Sequence, residues 1–290
     1  MKIGIIGFGF VGKTFVKVFK EYFEVSIYDK FKEDYKNPEV LNNSEIIFIC
    51  VPTPMMESGE IDLSIIHESM ELLSSMKFKE KPLIVIRSTV VPGTVDSLKE
   101  KYDFEIISNP EFLREKTAVE DFKKSNRIVI GADKIENSEK LESLYKIISP
   151  NIKYVKVDSK TAEMIKYASN VTLSGQIAIA NEIYQICKVL GVDYDIVREA
   201  LLCDSRIGRN IEVPGHDGNF GFGGKCLPKD LNALIYLLFE KGYNPKLLRE
   251  IWELNKRIRK NKDWENIPGA TSQNKDFWVI EKERKSKDIF

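Results

Sequence analysis

Histidine and closely spaced cysteines, from which many metal sites are built, are scarce in this sequence. Its 290 residues include two histidines and four cysteines, and no two cysteines have the C-x-x-C spacing. These residues are His67, His216, Cys50, Cys187, Cys203 and Cys226. We therefore expect no metal site and no disulfide framework, because zinc ligands and bridged cysteines recur at short, regular spacings. In a reducing compartment a single cysteine can stay a reactive thiol.

Net charge and long hydrophobic runs are also lacking. Lysine plus arginine and aspartate plus glutamate both number 44, so no overall field favours nucleic acid or an anionic membrane. No apolar stretch approaches the ~20 residues that span a bilayer, and the N-terminus MKIGIIGFGF lacks the pattern of a signal peptide. We therefore expect a globular, cytoplasmic protein that binds neither nucleic acid nor membrane.

Hydrophobic segments of strand length alternate with helical periodicity through the first half of the chain. Near-continuous Ile and Val predict strands that are buried on both faces of a parallel sheet. Alternation of strand and helix predicts an α/β domain with a Rossmann-type, doubly wound parallel sheet. The expected strands are 2–6, 25–28, 46–51, 83–87, 105–107 and 127–130, with helices such as 11–22 and 63–76 between them.

Strand signals stop after Val157, and the second half is expected to be helical. One long pattern without proline covers residues 161–190, and shorter helices are expected at 193–203, 228–241 and 245–260. We therefore predict three parts. They are a dinucleotide-binding domain (residues 1–155), an all-helical domain with one long central helix (156–262) and a polar tail (263–290).

A glycine-rich loop follows the first strand and opens the first helix. Its sequence is Gly7-Phe8-Gly9-Phe10-Val11-Gly12. In this context the glycines allow a tight turn, close approach of a pyrophosphate and close packing of helix on strand. Asp29 lies at the end of the second strand, near the spacing of a ribose-binding acid, and its charge disfavours a 2′-phosphate. The loop alone is also compatible with an empty turn, but together with Asp29 it predicts binding of NAD rather than NADP.

The segment GFGGKCLPKD, residues 221–230, indicates a reactive centre. Pro228 is typical of the first residue of a helix, which puts Cys226 at a helix N-terminus between Lys225 and Lys229. The helix dipole and the two lysines favour a thiolate, the form in which cysteine acts as a nucleophile. The other three cysteines lie within or beside apolar runs and are interpreted as small buried hydrophobic residues.

Lys166 and Asn170 are four residues apart in the long helical pattern, so both lie on one helical face. A lysine and an amide on that face can hold an alkoxide or a tetrahedral oxyanion. A surface lysine and a helix-interior asparagine explain the same letters, and the pattern alone does not choose between them.

Seven motifs occur in an order that resembles the UDP-glucose/GDP-mannose dehydrogenase family. The resemblance covers residues 1 to about 262, and GFGGKCLPKD separates it from other two-domain β-hydroxyacid dehydrogenases. The motifs are GFGFVG with Asp29, VPTP (51–54), STVVPGT (88–94), NPEFLRE (109–115), KYASN (166–170), DSRIG (204–208) and GFGGKCLPKD (221–230).

The resemblance implies a role for individual residues. Cys226 would be the nucleophile, Lys166 and Asn170 would stabilise oxyanions, and Asp230 would assist proton transfer. Thr89 and Glu111 would place or activate water. The implied cofactor contacts are Gly7, Gly9, Phe10, Val11, Gly12, Asp29, Val51, Pro52, Thr53, Ser88, Thr89 and Glu115. The implied substrate contacts are Glu111, Phe112, Leu113, Arg114, Lys166, Asn170, Arg206, Phe220, Gly221 and Gly223.

The implied reaction is a four-electron oxidation of the C6 alcohol of a nucleotide-sugar such as UDP-glucose, with NAD as acceptor, in polysaccharide biosynthesis. Arg206 would reach the substrate of the second subunit in a homodimer built on the long helix. Family members normally carry a C-terminal UDP-binding domain, and this sequence ends before one, so weak and less base-selective substrate binding is expected. Alternatives are a GDP-mannose or UDP-N-acetyl-sugar dehydrogenase, or an inactive module that only binds NAD or nucleotide-sugar.

Overall fold

The computed structural model describes residues 1–114, 117–267 and 269–272. The chain divides into two compact units, the first comprising Met1–Thr53 and Leu63–Lys166. The second comprises Pro54–Asp62 and the described residues from Tyr167 onward. The division falls at residue 166 rather than near residue 155, where the sequence pattern changes. The expected cofactor residue Glu115 and the tail beyond residue 272 lie outside the described residues.

A seven-stranded sheet forms the centre of the first unit. Its strands are β1 (Lys2–Ile6), β2 (Glu24–Tyr28), β3 (Ile46–Ile49), β4 (Leu83–Ile86), β5 (Ile106–Ser108), β6 (Arg127–Gly131) and β7 (Lys153–Val157). They lie in the order β2-β1-β3-β4-β5-β6-β7 and neighbours are parallel, except that β5 and β6 are antiparallel. The predicted Rossmann-type α/β architecture is confirmed, while the reversal at β6 and the strand β7 were not expected.

Alternating side chains of the central strands pack on opposite faces of the sheet. In β3, Ile46 and Phe48 join one hydrophobic cluster, whereas Ile47 and Ile49 join another. All four are fully buried, which explains the continuous apolar pattern of these strands. Helices α1 (Phe10–Phe19), α2 (Ser64–Ser75), α3 (Thr94–Lys101), α4 (Ala118–Lys123) and α5 (Ile135–Ile148) belong to this unit.

The long helix α6 (Ser159–Leu190) begins in the first unit and continues into the second. Its first turns pack on β6: Ser159 Oγ donates to the carbonyl of Gly131 at 3.0 Å. A Cβ atom on Gly131 would lie 2.5 Å from the Cβ of Ala162, so the helix can approach the strand only at a glycine. This packing explains why the start of α6 belongs with the sheet.

The second unit is otherwise built from α7 (Tyr194–Leu202), α8 (Cys226–Glu240) and α9 (Lys246–Ile258). Helix α8 begins two residues before Pro228, which had been expected to open it. Proline is tolerated there because the first N–H groups of a helix have no acceptor within it. The segment 54–62 belongs to this unit because Met55 donates its N–H to Ala270 and accepts one from Ser272. No helix of the described part of the chain is long and apolar enough to cross a membrane.

Candidate active site

The turn from β1 into the start of α1 has two positions where only glycine fits. Gly7 has φ +91°, in the left-handed region that side chains disfavour. A Cβ atom on Gly12 would lie 2.0 Å from the carbonyl oxygen of Gly7. Gly9, the N-cap of α1, has open space where its Cβ would be. An anionic group can therefore approach the helix N-terminus at Gly9, where the N–H groups and the helix dipole favour negative charge.

Asp29 directly follows β2 and lies beside this loop. Its Oδ2 accepts a hydrogen bond from the N–H of Phe8 at 2.7 Å, and its Oδ1 accepts one from Phe31 at 3.0 Å. These bonds fix the carboxylate, while each oxygen keeps capacity for a further donor. The carboxylate is thus held where the hydroxyls of an adenosine ribose would be bound.

The carboxyl ends of β3 and β4 carry further expected cofactor residues. Thr53 Oγ1 donates to the carbonyl of Thr89 at 2.7 Å, and Ser88 Oγ donates to that of Val51 at 2.7 Å. These bonds bring Val51, Pro52, Thr53, Ser88 and Thr89 to one edge of the sheet. Strands β2 and β3 flank β1, so the crevice between β1 and β3 is the position at which doubly wound sheets bind their ligands. The open approach at Gly9 and the fixed carboxylate of Asp29 fit NAD at this edge.

Lys166 and Glu111 form a buried ion pair in the first unit. The Lys166 Nζ lies 3.0 Å from Oε1 of Glu111, and both residues are 4% exposed. The second oxygen of Glu111 accepts the N–H of Leu113 at 2.6 Å. The same Nζ lies 5.5 Å from the ring centre of Phe112. The sequence named all four residues, but the ion pair joins positions 55 apart and no sequence pattern indicates it.

Buried side chains hold the loop that carries Glu111, and sequence reasoning missed them. Asn109 donates through Nδ2 to the carbonyl of Val129 at 2.6 Å. Its Oδ1 accepts bonds from Arg87 at 2.8 Å and from the hydroxyl of Tyr145 at 2.6 Å. Burial raises the pKa of Tyr145, so its hydroxyl remains a donor. The signal in the sequence was an arginine at the end of an apolar strand, which suggests a buried polar contact.

Glu163, on α6 one turn before Lys166, binds the N-terminus of α3. Its carboxylate accepts the N–H of Gly93 at 2.6 Å and that of Val95 at 2.9 Å. Burial raises the pKa of this carboxyl to about 7, although these two bonds oppose the rise. The side chain is 2% exposed. Glu163 thereby holds the end of the loop 88–94, which also contains Thr89.

In the second unit, Asp230 accepts hydrogen bonds from two neighbouring side chains. Asn170 donates to its Oδ2, and the Nζ of Lys229 lies 2.6 Å from its Oδ1. Asp230 is fully buried, whereas Cys226, one turn earlier on α8, is half-buried. Residues four apart share one face of a helix, so the thiol and the carboxylate lie on the same side of α8. Among the expected residues, the structure thus brings Asn170 and Asp230 together, with Cys226 at the start of the same helix.

The remaining expected substrate residues differ in their surroundings. Phe220, Gly221 and Gly223 lie in the loop that leads to Cys226, and Gly221 has φ +68°. The side chain of Arg206 is 87% exposed and pairs with Asp204.

Arg114 also lies at the surface of its unit. Its guanidinium lies 2.7 Å from a carboxylate oxygen of Asp121. The hydrogen bond from Arg114 lowers the pKa of Asp121 to about 2. The guanidinium of Arg114 is therefore held in an ion pair with Asp121 of the same unit.

Comparison with known proteins gives consistent matches over both units. Residues 27–149 match the NAD binding domain of the UDP-glucose/GDP-mannose dehydrogenase family, and residues 160–257 match its central domain. A UDP-glucose 6-dehydrogenase of Rickettsia felis is 40% identical over 238 residues, which cover 80% of this chain and 52% of that protein. The chain therefore spans about half the length of the curated relatives it matches.

Two solved structures resemble the chain. A UDP-glucose dehydrogenase from Pyrobaculum islandicum has a TM-score of 0.76 at 29% identity, covering 88% of this chain and 68% of that one. A GDP-mannose dehydrogenase from Pseudomonas aeruginosa has a TM-score of 0.65 at 30% identity, covering 89% and 69%. NAD as the cofactor, expected from the glycine loop and Asp29, is confirmed by the match to the NAD binding domain. The chain belongs to the UDP-glucose/GDP-mannose dehydrogenase family, of which it contains NAD-binding and central domains.

Proposed function

We propose that this chain oxidises the C6 alcohol of UDP-glucose to the carboxylate of UDP-glucuronate, with NAD as acceptor and Cys226 as nucleophile. The observation that carries the proposal is the buried Asn170–Asp230–Lys229 network, in which Asp230 and Lys229 lie on the helix that begins at Cys226. Burying a carboxylate and an ammonium is costly even when they are paired, and such groups cluster at functional sites, which supports a role beside the thiol. Curated relatives at 40% and 36% identity are UDP-glucose 6-dehydrogenases, which supports UDP-glucose as substrate.

The first oxidation would transfer the proton of the C6 hydroxyl to water and remove a hydride from C6, which leaves an aldehyde. Lys166 and Asn170, one turn apart on α6, donate hydrogen bonds to the developing alkoxide. The ammonium of Lys166 has three donors, so it can bind this oxygen while it stays paired with Glu111. When bound, NAD supplies the hydride acceptor, and two molecules are needed for the two oxidations.

The second oxidation proceeds on the enzyme through Cys226. Its thiolate adds to C6 of the aldehyde, and the former carbonyl oxygen takes a proton, which gives a thiohemiacetal. Loss of a second hydride and a proton gives a thioester. Water then breaks the C–S bond and releases the acid and the thiol. Covalent capture keeps the aldehyde from escaping between the two oxidations.

Water activation is assigned to the acidic groups. Glu111 accepts bonds from Lys166 and from the N–H of Leu113, so its carboxylate is held in one orientation. A carboxylate fixed in this way can accept a proton from the water that attacks the thioester. Asp230 assists proton transfer through Lys229 or water, and Thr89 helps to place the water.

The decisive experiment measures NADH release with a panel of nucleotide-sugars. UDP-glucose should yield two NADH per acid formed, and Cys226→Ala should abolish acid formation. Cys203→Ala is the matched control and should keep full activity, because the thiol of Cys203 is exposed; its interpretation as a buried residue was wrong, since Cys203 lies at the C-terminal end of α7. Near-normal acid formation by Cys226→Ala would contradict the nucleophile assignment.

GDP-mannose is the second candidate substrate, because a GDP-mannose dehydrogenase matches this chain at 30% identity. UDP-N-acetyl-sugars complete the panel. A higher kcat/KM with one of these than with UDP-glucose would replace the substrate while leaving the chemistry in place. NAD binding without NADH formation on any millimolar nucleotide-sugar would instead indicate a binding module.

We also propose that two copies of the chain form a homodimer through α6 and α7. Apolar side chains are exposed on these helices, among them Ile179 (63%), Val189 (85%), Leu190 (70%) and Ile196 (67%). Such a surface favours a self-complementary interface. The exposed Arg206 would then bind substrate in the other subunit. Mixing inactive Arg206→Ala and Cys226→Ala subunits should restore some activity; no recovery after verified subunit exchange would refute the sharing of Arg206.

A further inference from the structure

The backbone of the loop 221–224, which leads into Cys226, is held by side chains from outside the loop. Asn181 on α6 accepts the N–H of Gly221 at 3.0 Å. Asn255 on α9 accepts the N–H of Phe222 at 2.8 Å and donates to its carbonyl at 2.9 Å. Each of these asparagines is at most 2% exposed, so water cannot replace the bonds.

One more hydrogen bond holds the end of the loop that precedes Cys226 in sequence. Asp263, in the turn after α9, accepts the N–H of Gly224 at 3.1 Å through Oδ2. Gly224 is two residues from Cys226 and has φ +74°, so the chain turns sharply there. The position of the first turn of α8 therefore depends on where Asp263 holds this peptide.

The supporting side chains lie so close to Gly221 and Gly223 that no residue with a Cβ atom would fit at either position. A Cβ atom on Gly221 would lie 2.2 Å from Oδ1 of Asn255. One on Gly223 would lie 2.2 Å from a guanidinium nitrogen of Arg259 and 2.3 Å from Oδ1 of Asp263. The glycines at these two positions are thus explained by the support itself and need no ligand to account for them.

Arg259 lies next to Asp263 and Asp217. Its guanidinium, in a residue 2% exposed, lies 3.1 Å from Asp263 and 2.7 Å from Asp217. It also donates to the carbonyl of Phe220 at 3.3 Å. A hydrogen bond to Asp217 holds the guanidinium, whose charge attracts the carboxylate of Asp263. Asp263 thus lies between this cation and the N–H of Gly224.

Resting on the proposed function, we infer that Asn255 and Asp263 are positioning residues for the reaction. Asn255 holds Phe222, between the two glycines expected to contact substrate, and so sets the substrate side of the loop. Asp263 holds Gly224 and sets the position of the Cys226 thiol at the N-terminus of α8. Loss of Asn255 should therefore act on KM, and loss of Asp263 should act on kcat.

Alkylation of Cys226 tests the role of Asp263 without any substrate. Iodoacetamide is applied to the whole protein over a range of pH, and the peptides of Cys226 and Cys203 are quantified by mass spectrometry. In Asp263→Ala the pH at half-maximal alkylation of Cys226 should lie about one unit above that of Asp263→Asn, because both variants lose the same charge and only alanine loses the acceptor that holds the helix N-terminus. The exposed Cys203 should be unchanged and serves as the internal reference.

Conservative and neighbouring variants separate positioning from folding. Asp263→Asn keeps an acceptor for Gly224 and is the charge-matched reference for Asp263→Ala. Glu265→Gln, which removes an exposed charge from the same turn, should match the parent. If Asp263→Ala does not fold, Asp263→Asn and Asp263→Ser, tested for a native circular dichroism spectrum, provide the comparison. The alkylation profile of Asp263→Ser, whose side chain is shorter, should then lie at higher pH than that of Asp263→Asn.

Kinetics tests the division of roles. Asp263→Ala should lower kcat about tenfold with a small change in KM, and Asn255→Asp should raise KM about tenfold with a small change in kcat. Equal alkylation profiles of Asp263→Ala and Asp263→Asn, with unchanged kinetics in folded Asp263→Ala, would overturn the inference while NADH formation by the parent still supports the proposed function. A shifted alkylation profile without NADH formation by the parent would retain the position of Asp263 and refute the dehydrogenase.

Discussion

Replacing Glu163 by glutamine should remove a pH dependence from the stability of this protein. The Glu163 carboxyl is buried, and burial raises its pKa from 4.5 to about 7. It accepts two N–H bonds at the start of α3, which oppose this rise of the pKa. The charge of Lys99 also opposes the rise, whereas the charge of Asp96 adds to it. Glutamine is nearly isosteric, cannot ionise and keeps one acceptor oxygen.

The sign follows from linkage. The folded state binds the proton more tightly than the unfolded chain, so the parent loses stability as pH rises from about 4.5 to about 7 and is constant above. The difference of two and a half units, at 1.36 kcal/mol per unit, sets an upper limit of about 3 kcal/mol. Relative to Glu163→Gln, the parent should therefore be up to about 3 kcal/mol more stable at pH 4.5 than at pH 7.5.

Urea unfolding followed by circular dichroism at several pH values measures this difference. Contributions of all other groups cancel when the free energy of unfolding of the variant is subtracted from that of the parent. Glu100→Gln removes an exposed carboxylate from the same helix α3 and should give a difference that does not vary with pH. A difference for Glu163→Gln that is equally flat would show that folding leaves the pKa of this carboxyl unchanged and that burial does not govern it.

Other changes have equally definite outcomes. NAD should be used at least about tenfold better than NADP, and Asp29→Ala should reduce that preference in comparisons of kcat/KM. Gly12→Ala puts a methyl group 2.0 Å from the carbonyl of Gly7 and should cost about 1–3 kcal/mol, seen as a lower Tm, with weaker NAD binding. Lys166→Met should destabilise the fold by about 3–5 kcal/mol because it leaves Glu111 charged and buried. Adding Glu111→Gln should recover part of that loss in a double-mutant cycle, and strict additivity would contradict the buried pair.

The sheet was predictable because its signal is local. Strands such as β3 and β4 consist of consecutive apolar residues, and the glycine loop lies between a strand and a helix. Strand β7 was missed because Lys153 and Lys156 interrupt its apolar pattern at the sheet edge, where side chains need not be buried. The reversal between β5 and β6 depends on packing between segments far apart in sequence.

The residues of the candidate site were named from the sequence and their roles stay a prediction, whereas their contacts were not predicted. The helical period placed Lys166 and Asn170 on one face, and the family resemblance implied Glu111 and Asp230. The ion pair of Lys166 with Glu111 depends on how the loop 109–113 meets α6, which no local pattern encodes. Arg87, Glu163 and Asp263 were missed for the same reason. Each is a charged residue, a type that the sequence predicts to be exposed, and each finds its partners only when distant segments pack together.

The segment 54–62 has a consequence for the modularity of the chain. It follows β3, yet Met55 bonds with Ala270 and Ser272, and a Cβ on Gly59 would lie 3.1 Å from Asn232. A fragment that ends at residue 166 would keep this segment and lose all of these partners, so Met55 and Ile61, now 8% and 5% exposed, would face water. The two units are interleaved along the gene rather than arranged end to end. A swap of cofactor domains between relatives therefore needs three junctions, and a single crossover would leave a segment of one parent without its partner.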